Sequence, residues 1–296
     1  QLLLISISFS KFLELSFLIL TFRLVPDKIV CTGKSNGLHL ALQATKDNLY
    51  MKILENKTAF VTGGSRGIGA AIVKQLAEQG ASITFTYSNS AAQANELTED
   101  LTAKGYRVRA VKADSSERGA VSTAIEESIA HHGNLDILVN SAGTFIVKAF
   151  EEHTMEDYDR IMAVNVQAVV EACLAASKLM SPSGRIISIG SSMAKRVSAP
   201  MSTLYSMSKS ALVGLTKGLA RDLAAKNITV NLVQPGSVDT DMNPETSPFA
   251  DFQRSLMAIP QFGRPEHIAS LVTYLASPEA SYTTGSVIDI DGGYHA

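Results

Sequence analysis

Within residues 58–79 a short apolar run, a cluster of glycines and an amphipathic stretch follow one another, and this unit constrains the fold more than any other part of the chain. Thr58-Ala59-Phe60-Val61 reads as a strand. Residues 70–79 have helical spacing, with Ile72, Leu76 and Ala77 on one face, and Gly80 ends them. Between the two lies Thr62-Gly63-Gly64-Ser65-Arg66-Gly67-Ile68-Gly69. Glycines in such a turn permit a tight bend, let backbone N–H groups approach an anion, and let the helix pack close to the strand. Glycine clusters alone are common in turns. The flanking strand and helix, with the G-x-x-x-G-x-G spacing, point to a grip on a dinucleotide pyrophosphate.

The same alternation continues to the end of the chain. Strands are expected at 81–87, 107–113, 135–139, 184–189, 228–233 and 286–290, and helices at 91–105, 119–131, 155–179 and 205–226. In the last of these helices Leu212, Leu215, Leu219 and Leu223 form one stripe. Short strands alternating with longer helices are the pattern of βαβ units. No repeat or linker interrupts them. The expectation is a single Rossmann-type, doubly wound α/β domain over residues 51–296, with a seven-stranded parallel sheet.

Residues 1–50 read differently. Residues 2–25 are strongly apolar, but Lys11 and Glu14 interrupt them, and a membrane span needs about 20 uninterrupted apolar residues. Neither a positively charged start nor a small-residue cleavage site marks a secretory signal. Residues 26–50 look polar and patternless. Gly33-Lys34-Ser35 resembles the end of a phosphate-binding loop, but Lys28 stands where that motif needs its first glycine. The expectation is that the functional chain starts at Met51 and that residues 1–50 lie outside the fold, as upstream reading frame or an unfolded extension. A membrane anchor is the competing reading.

A net charge of -2 supplies no basic field for nucleic acid. Two cysteines, Cys31 and Cys173, are too few for a disulfide framework, and the six histidines show no metal-ligand spacing, so no metal is expected. His131-His132 reads as loop. Cytoplasmic location is the default expectation.

The second strand runs into Tyr87-Ser88-Asn89-Ser90 with no acid. A carboxylate there would hold a ribose 2′-hydroxyl and repel a 2′-phosphate. Arg66, inside the glycine turn, offers a guanidinium suited to that phosphate, so NADP(H) is expected over NAD(H). Tyr205-Ser206-Met207-Ser208-Lys209 places a phenol and an ammonium one helical turn apart on one face. A nearby cation favours phenolate, which makes the hydroxyl a proton donor or acceptor near neutral pH. The pair is common on helix surfaces. Its position, opening the helix between the fifth and sixth strands, is what gives it weight. Upstream, Ile189-Gly190-Ser191-Ser192 closes the fifth strand at its carboxyl end, where ligands sit in open α/β sheets. A hydroxyl there can bond a substrate oxygen and stabilise negative charge.

Taken in order, these motifs resemble the short-chain dehydrogenase/reductase family from residue 55 to 296. The resemblance implies a catalytic set of Asn165, Ser191, Tyr205 and Lys209. Alignment on Ile-Gly-Ser selects Ser191, fourteen residues before Tyr205; the spacing of thirteen seen in many relatives selects Ser192 instead. Asn165, in Val164-Asn165-Val166, matches the helix asparagine that in the family holds a water relaying protons from the lysine. Asn140-Ser141-Ala142-Gly143 resembles the family's Asn-Asn-Ala-Gly, with Ser141 in place of the second asparagine. The implied cofactor contacts are Gly63, Ser65, Arg66, Gly67, Ile68 and Gly69 in the turn, Asp114 and Ser115 beside adenine, and Asn140, Ala142 and Gly143. Tyr205 and Lys209 join them, with Pro235, Gly236, Val238 and Thr240 at the nicotinamide carboxamide. Tyr87, Asn89 and Ser90 resemble the Tyr-x-Asn-Ser segment of NADPH-dependent trihydroxynaphthalene reductases, whose Asn and Ser contact the 2′-phosphate. Asp291-Gly292-Gly293 resembles the family's terminal turn.

The implied activity is hydride transfer between NADP(H) and a small-molecule carbonyl or alcohol, in a homotetramer or homodimer. Lys195 and Arg196 keep a 3-oxoacyl-carrier-protein reductase in view. A second class also stays open. Residues 63–71, Val233-Gln234-Pro235-Gly236, Met257-Ala258-Ile259 and Pro278-Glu279-Ala280-Ser281 resemble bacterial cyclic-di-GMP-binding biofilm dispersal proteins, which would make the chain a nucleotide receptor. Met242, Phe249, Phe252, Met257 and Phe262 form an apolar set in residues 240–262, to close over a substrate or simply to pack.

Overall fold

The computed structural model describes residues 19–25, 28–35, 38–45 and 52–296, the first three segments by their backbone alone. The chain divides into two units, Gln1–Lys52 and Ile53–Ala296. The first holds an antiparallel sheet of β1 (Ile19–Val25), β2 (Lys28–Ser35) and β3 (Leu38–Thr45), in the order β1-β2-β3. The sequence around β2 and β3 had shown no pattern. In hindsight Leu38, Leu40 and Leu42 alternate with His39, Ala41 and Gln43, the two-residue period of a strand.

The second unit is built on seven strands: β4 (Thr58–Thr62), β5 (Ser82–Tyr87), β6 (Val108–Lys112), β7 (Ile137–Asn140), β8 (Arg185–Ile189), β9 (Thr229–Pro235) and β10 (Val287–Ile290). Their order is β10-β9-β8-β7-β4-β5-β6 and every pairing is parallel. Parallel strands need helical crossovers, so both faces of the sheet are covered, and the central strands bury even their polar residues, Thr84, Ser188 and Asn231 among them. In β4, Ala59 and Val61 belong to the core on one face and Phe60 to the core on the other. The central strands are fully buried, whereas β6 and β10, at the edges, are half-buried.

One face is covered by α1 (Gly67–Glu78), α2 (Ala91–Ala103) and α8 (Pro265–Ala276), whose Ile72, Leu76, Leu97, Ile268, Val272 and Leu275 share one core. The other is covered by α3 (Ala120–His132), α5 (Ala168–Leu179) and α6 (Thr203–Asp222), through Ile125, Ala172, Leu212 and their neighbours. Burying a side chain of this size contributes about 1.5–3 kcal/mol, so the two cores drive closure of the sheet. Two helices escaped the sequence reading: α7 (Ala250–Ser255) and α8. Pro265 at the first position of α8, and Ile268, Leu271, Val272 and Leu275 at helical spacing, were the available signal. His131-His132 lies in the last turn of α3 and not in a loop. There His132 Nε2 reaches Thr84 Oγ1 at 3.2 Å.

The expected helix over 155–179 is interrupted. α4 (Met155–Met162) and α5 flank a π-helical turn, Ala163–Gln167. By length and composition Met155–Leu179 could cross a membrane, but here it buries Ile161, Val169, Ala172, Cys173 and Ala176 in the protein core.

Candidate active site

The strand order reverses between β4 and β7, and at such a switch point the connections leave in opposite directions and open a crevice at the carboxyl ends of the strands. The crevice has a floor of glycines. Gly63 sits at φ +66°, and a Cβ on it would meet the Ala142 Cα at 2.8 Å. A Cβ on Gly69 would lie 2.1 Å from the Gly63 carbonyl oxygen. Gly67, at φ +53°, opens α1 with the side chain of Thr240 next to it, 3.4 Å from where a Cβ would stand. Arg66 is the N-cap of α1, its side chain makes no capping bond, and no acid sits in the first turn. The helix therefore presents its N–H groups and positive dipole end to the crevice. Thr62 Oγ1 accepts from Ser141 N at 3.0 Å and Ala142 N at 3.1 Å, which fixes the end of β7 against the glycine turn.

The remaining wall residues gather around this floor. Asn140 donates to Ser188 Oγ at 3.1 Å and joins the ends of β7 and β8. Tyr87 ends β5, and Ser90 is the N-cap of α2 with Asn89 just before it. Asp114, preceding Ser115, accepts from Ser88 Oγ at 2.7 Å and from Ser116 N at 2.8 Å. Bonds from Ser116, with Ser88 adding to them, hold its carboxyl below the usual range. Pro235 ends β9, and Gly236 packs so closely on Asp291 that a Cβ would meet its Cα at 2.7 Å. Val238 is buried, and Thr240 Oγ1 accepts from Asn243 N at 3.3 Å. Arg66 points away from the turn to Asp241, at 3.5 Å, with both side chains largely exposed.

The four expected catalytic side chains converge on the far end of the crevice. The 3₁₀ turn Ser192–Ala194 after β8 has Ser191 as its N-cap, whose Oγ accepts from Met193 N at 3.2 Å. The same hydroxyl hydrogen-bonds the Tyr205 phenol. No bond of this kind reaches the phenol from Ser192. Lys209, one turn below Tyr205, donates from Nζ to Ile189 O at 2.9 Å and lies 5.8 Å from the Tyr205 ring centre. Asn165 is fully buried within the π turn; its Oδ1 accepts from Thr144 N at 2.8 Å, and its Nδ2 donates to Thr144 O and Ser208 Oγ, both at 3.0 Å. Ser208 Oγ donates in turn to Tyr205 O at 2.7 Å. Gly143 keeps the space open: a Cβ there would come within 3.6 Å of both Asn165 Oδ1 and Lys209 Nζ. Phe145, Thr144 and Ser208 had not been singled out in the sequence. The Phe145 ring stands 4.5 Å from that of Tyr205 and forms an apolar wall.

Burial governs the electrostatics here, and it changes one expectation. It pushes the Tyr205 phenol above its ordinary value, and the Ser191 bond offsets this only in part. Lys209 itself falls to about 8 through burial. Near neutral pH the site thus holds a neutral phenol beside an ammonium that is poorly solvated. The unfolded chain keeps the lysine proton up to about 10.5. Between these values the unfolded chain binds more protons, so stability rises with pH from about 8 to 10.5, and below 8 the burial penalty is fully present. Accordingly, Lys209→Met should raise the stability of the ligand-free protein at pH 7 by about 1 kcal/mol and flatten that rise. Urea denaturation at pH 7 and pH 10 checks this; a loss of stability at pH 7 contradicts it.

A switch-point crevice, a glycine turn on a helix N-terminus and a Ser/Tyr/Lys cluster at the strand ends define an oxidoreductase of the doubly wound α/β class. The family model described as enoyl-(acyl carrier protein) reductase matches residues 63–295. The cyclic-di-GMP-binding biofilm dispersal mediator protein of Escherichia coli is 42% identical over 246 residues, 83% of this chain and 100% of that protein. A short-chain dehydrogenase/reductase from Serratia marcescens is 53% identical with a TM-score of 0.81, over 82% of this chain and 99% of that one. A short-chain dehydrogenase from Burkholderia cenocepacia, solved in complex with NADP, is 47% identical with the same TM-score and the same coverage. The chain belongs to the short-chain dehydrogenase/reductase family.

Proposed function

We propose that residues 51–296 carry an NADP(H)-dependent reductase that converts a small-molecule carbonyl to its alcohol, with Tyr205 as the proton donor. The observation that carries this reading is the phenol itself. Like any tyrosine it is protonated at neutral pH, it bonds Ser191, and the buried Lys209 Nζ lies 5.8 Å from its ring centre. A reduction needs such a donor.

The crevice fits a nicotinamide dinucleotide because the glycine turn lies flat against Ala142, Cβ atoms on Gly63 and Gly69 being barred by backbone neighbours, and because α1 opens there with its N–H groups and no acid in its first turn. When bound, the cofactor supplies the hydride. Ser191 Oγ accepts from Met193 N and shares its own proton with the Tyr205 phenol, and that proton turns to a substrate oxygen when one is bound. Tyr205 Oη gives its proton to that oxygen as negative charge develops. The Lys209 ammonium then faces the phenolate left behind, and the Asn165–Ser208–Tyr205 chain of bonds fixes the start of α6 while this happens. Phe145 keeps water from one side of the phenol.

NADP(H) preference rests on Arg66 and on the absence of an acid after β5. The Arg66–Asp241 pair is exposed and long, and such pairs contribute little, so a phosphate could readily take the guanidinium. Arg66→Ala should weaken NADPH by roughly 10- to 100-fold, the loss of a charge-assisted bond, and NADH far less. Fluorescence titration of both cofactors tests this, and equal losses remove Arg66 from the role.

Two observations bear on substrate class. Lys195 is paired with Asp289 and Arg196 donates to Tyr294 O, yet both residues are exposed, so an acidic carrier protein and a free carbonyl compound both stay in view. The nucleotide-receptor reading draws on the Escherichia coli relative, whose printed name gives cyclic-di-GMP binding. NADPH consumption against ketones, aldehydes, quinones and 3-oxoacyl compounds tests the reductase directly. Failure across the panel, together with cyclic-di-GMP binding at micromolar ligand, supports the receptor instead.

A further inference from the structure

The last residues of the chain touch the catalytic serine loop through polar atoms. After β10 the chain turns through Gly292 and Gly293, held by Gly293 N to Asp291 Oδ1 at 2.9 Å. Gly292 O accepts from Ile259 N at 2.8 Å, and a Cβ on Gly293 would lie 2.6 Å from that of Ala258. This end of the chain is therefore seated on the far end of the 240–262 segment. The Tyr294 ring is buried there in a small apolar cluster with Ala250, Met257 and Phe262, separate from the two main cores.

Toward the opposite side the same two side chains reach residues 191–196. Tyr294 Oη donates to Arg196 O at 3.0 Å, Arg196 Nη1 donates to Tyr294 O at 2.6 Å, and the guanidinium lies 5.0 Å over the ring. His295 Nε2 is 3.0 Å from Ser192 O. Its other nitrogen is 2.8 Å from Asp291 Oδ2, a close approach without hydrogen-bond geometry. Both His295 nitrogens thus face acceptors. Lys195 reaches Asp289, which also lies 3.6 Å from His295 Nδ1. An end of chain that only filled space would bury the ring; this one also bonds two backbone carbonyls of the turn that aims Ser191.

We infer that Tyr294 and His295 are positioning residues, holding the Ser191 turn and the 240–262 segment in one arrangement so that the serine hydroxyl meets Tyr205 and the substrate oxygen. The inference rests on the reductase reading for its kinetic consequence. Its structural consequence stands without it. Ser192 O already accepts from Lys195 N at 3.1 Å and Arg196 N at 3.3 Å, and His295 adds a contact from outside the turn; Met193 N, inside the turn, donates to Ser191 Oγ. If the His295 contact goes, the hydroxyl drifts, and a misplaced donor loses most of its value.

The test uses the full chain. His295→Ala should lower kcat about tenfold, the value of one well-placed bond, with NADPH affinity unchanged. It should also speed amide hydrogen exchange at Met193 while the glycine turn keeps its protection. His295→Gln, which can still present an N–H to Ser192 O, should restore most of both. Tyr294→Phe keeps the ring and frees Arg196 O, and should speed exchange in the same turn. Unchanged exchange at Met193 in both His295→Ala and Tyr294→Phe overturns the inference, as does a kcat loss that glutamine fails to restore. If His295→Ala does not fold, His295→Gln and Tyr294→Phe decide by exchange alone. A wild type that turns over no carbonyl removes the reductase reading and leaves the exchange result to judge the clamp.

Discussion

Tyr205→Phe is expected to leave a folded protein that binds NADPH with its normal affinity and has lost carbonyl reduction by roughly 10³-fold, the usual range for removing a positioned acid being 10²- to 10⁴-fold. The substitution removes one oxygen and leaves the ring against Phe145. Ser208 bonds the backbone carbonyl of Tyr205 and not its side chain, so the start of α6 keeps its anchors. Burial also works in favour of a clean result. The phenol is desolvated and among the described residues its side-chain hydrogen-bond partner is Ser191, so phenylalanine leaves that hydroxyl to re-pair, and Met193 N already contacts it. Cofactor titration and turnover, measured on the same sample, separate the two effects. Substantial residual turnover would remove Tyr205 from the chemistry. Lost cofactor affinity would recast it as a binding residue.

Gly69→Ala carries the second large effect. The added methyl would stand 2.1 Å from the Gly63 carbonyl oxygen and 3.1 Å from the Gly64 Cα, both backbone atoms that cannot rotate away. Relief requires moving α1 off the turn, yet Ile72, Val73 and Leu76 hold that helix in the core. The expected cost is on the order of 3 kcal/mol, since overpacking of this kind displaces backbone. Any molecule that stays folded should lose NADPH binding, because the displaced N–H groups are those that would meet the pyrophosphate. Thermal unfolding with and without NADPH reads both consequences. A variant of unchanged stability that NADPH still stabilises as it does the parent contradicts the account of the turn.

Most of the fold was legible because βαβ units announce themselves locally. A run such as residues 58–61 must be buried on both faces, and glycine spacing decides how the next helix begins. What stayed hidden depends on contacts distant in sequence. The π turn at Ala163–Gln167 is coupled to Asn165 bonding Thr144, and no periodicity in residues 155–179 encodes that partner. The helix α8 was encoded, by Pro265 and the Ile268–Leu275 spacing, and was missed among turn-forming residues.

The site divides in the same way. Tyr205 and Lys209 could be placed on one helix face from their spacing. The direction of the tyrosine shift could not, because desolvation is a property of the assembled walls. Lys195 and Arg196 looked in the sequence like free cations at the mouth. Their partners, Asp289 and Tyr294, lie more than ninety residues later in the chain.

The most direct test of the central claim is isotopic. Wild-type protein is given NADPH deuterated at the transferable position of the nicotinamide, together with whichever carbonyl of the panel it consumes. The account predicts one deuterium on the carbinol carbon of the product, an unlabelled hydroxyl in light water, and formation of that product roughly 10³-fold more slowly with Tyr205→Phe. Deuterium found in solvent, or an unlabelled carbinol carbon, would contradict hydride transfer at this site.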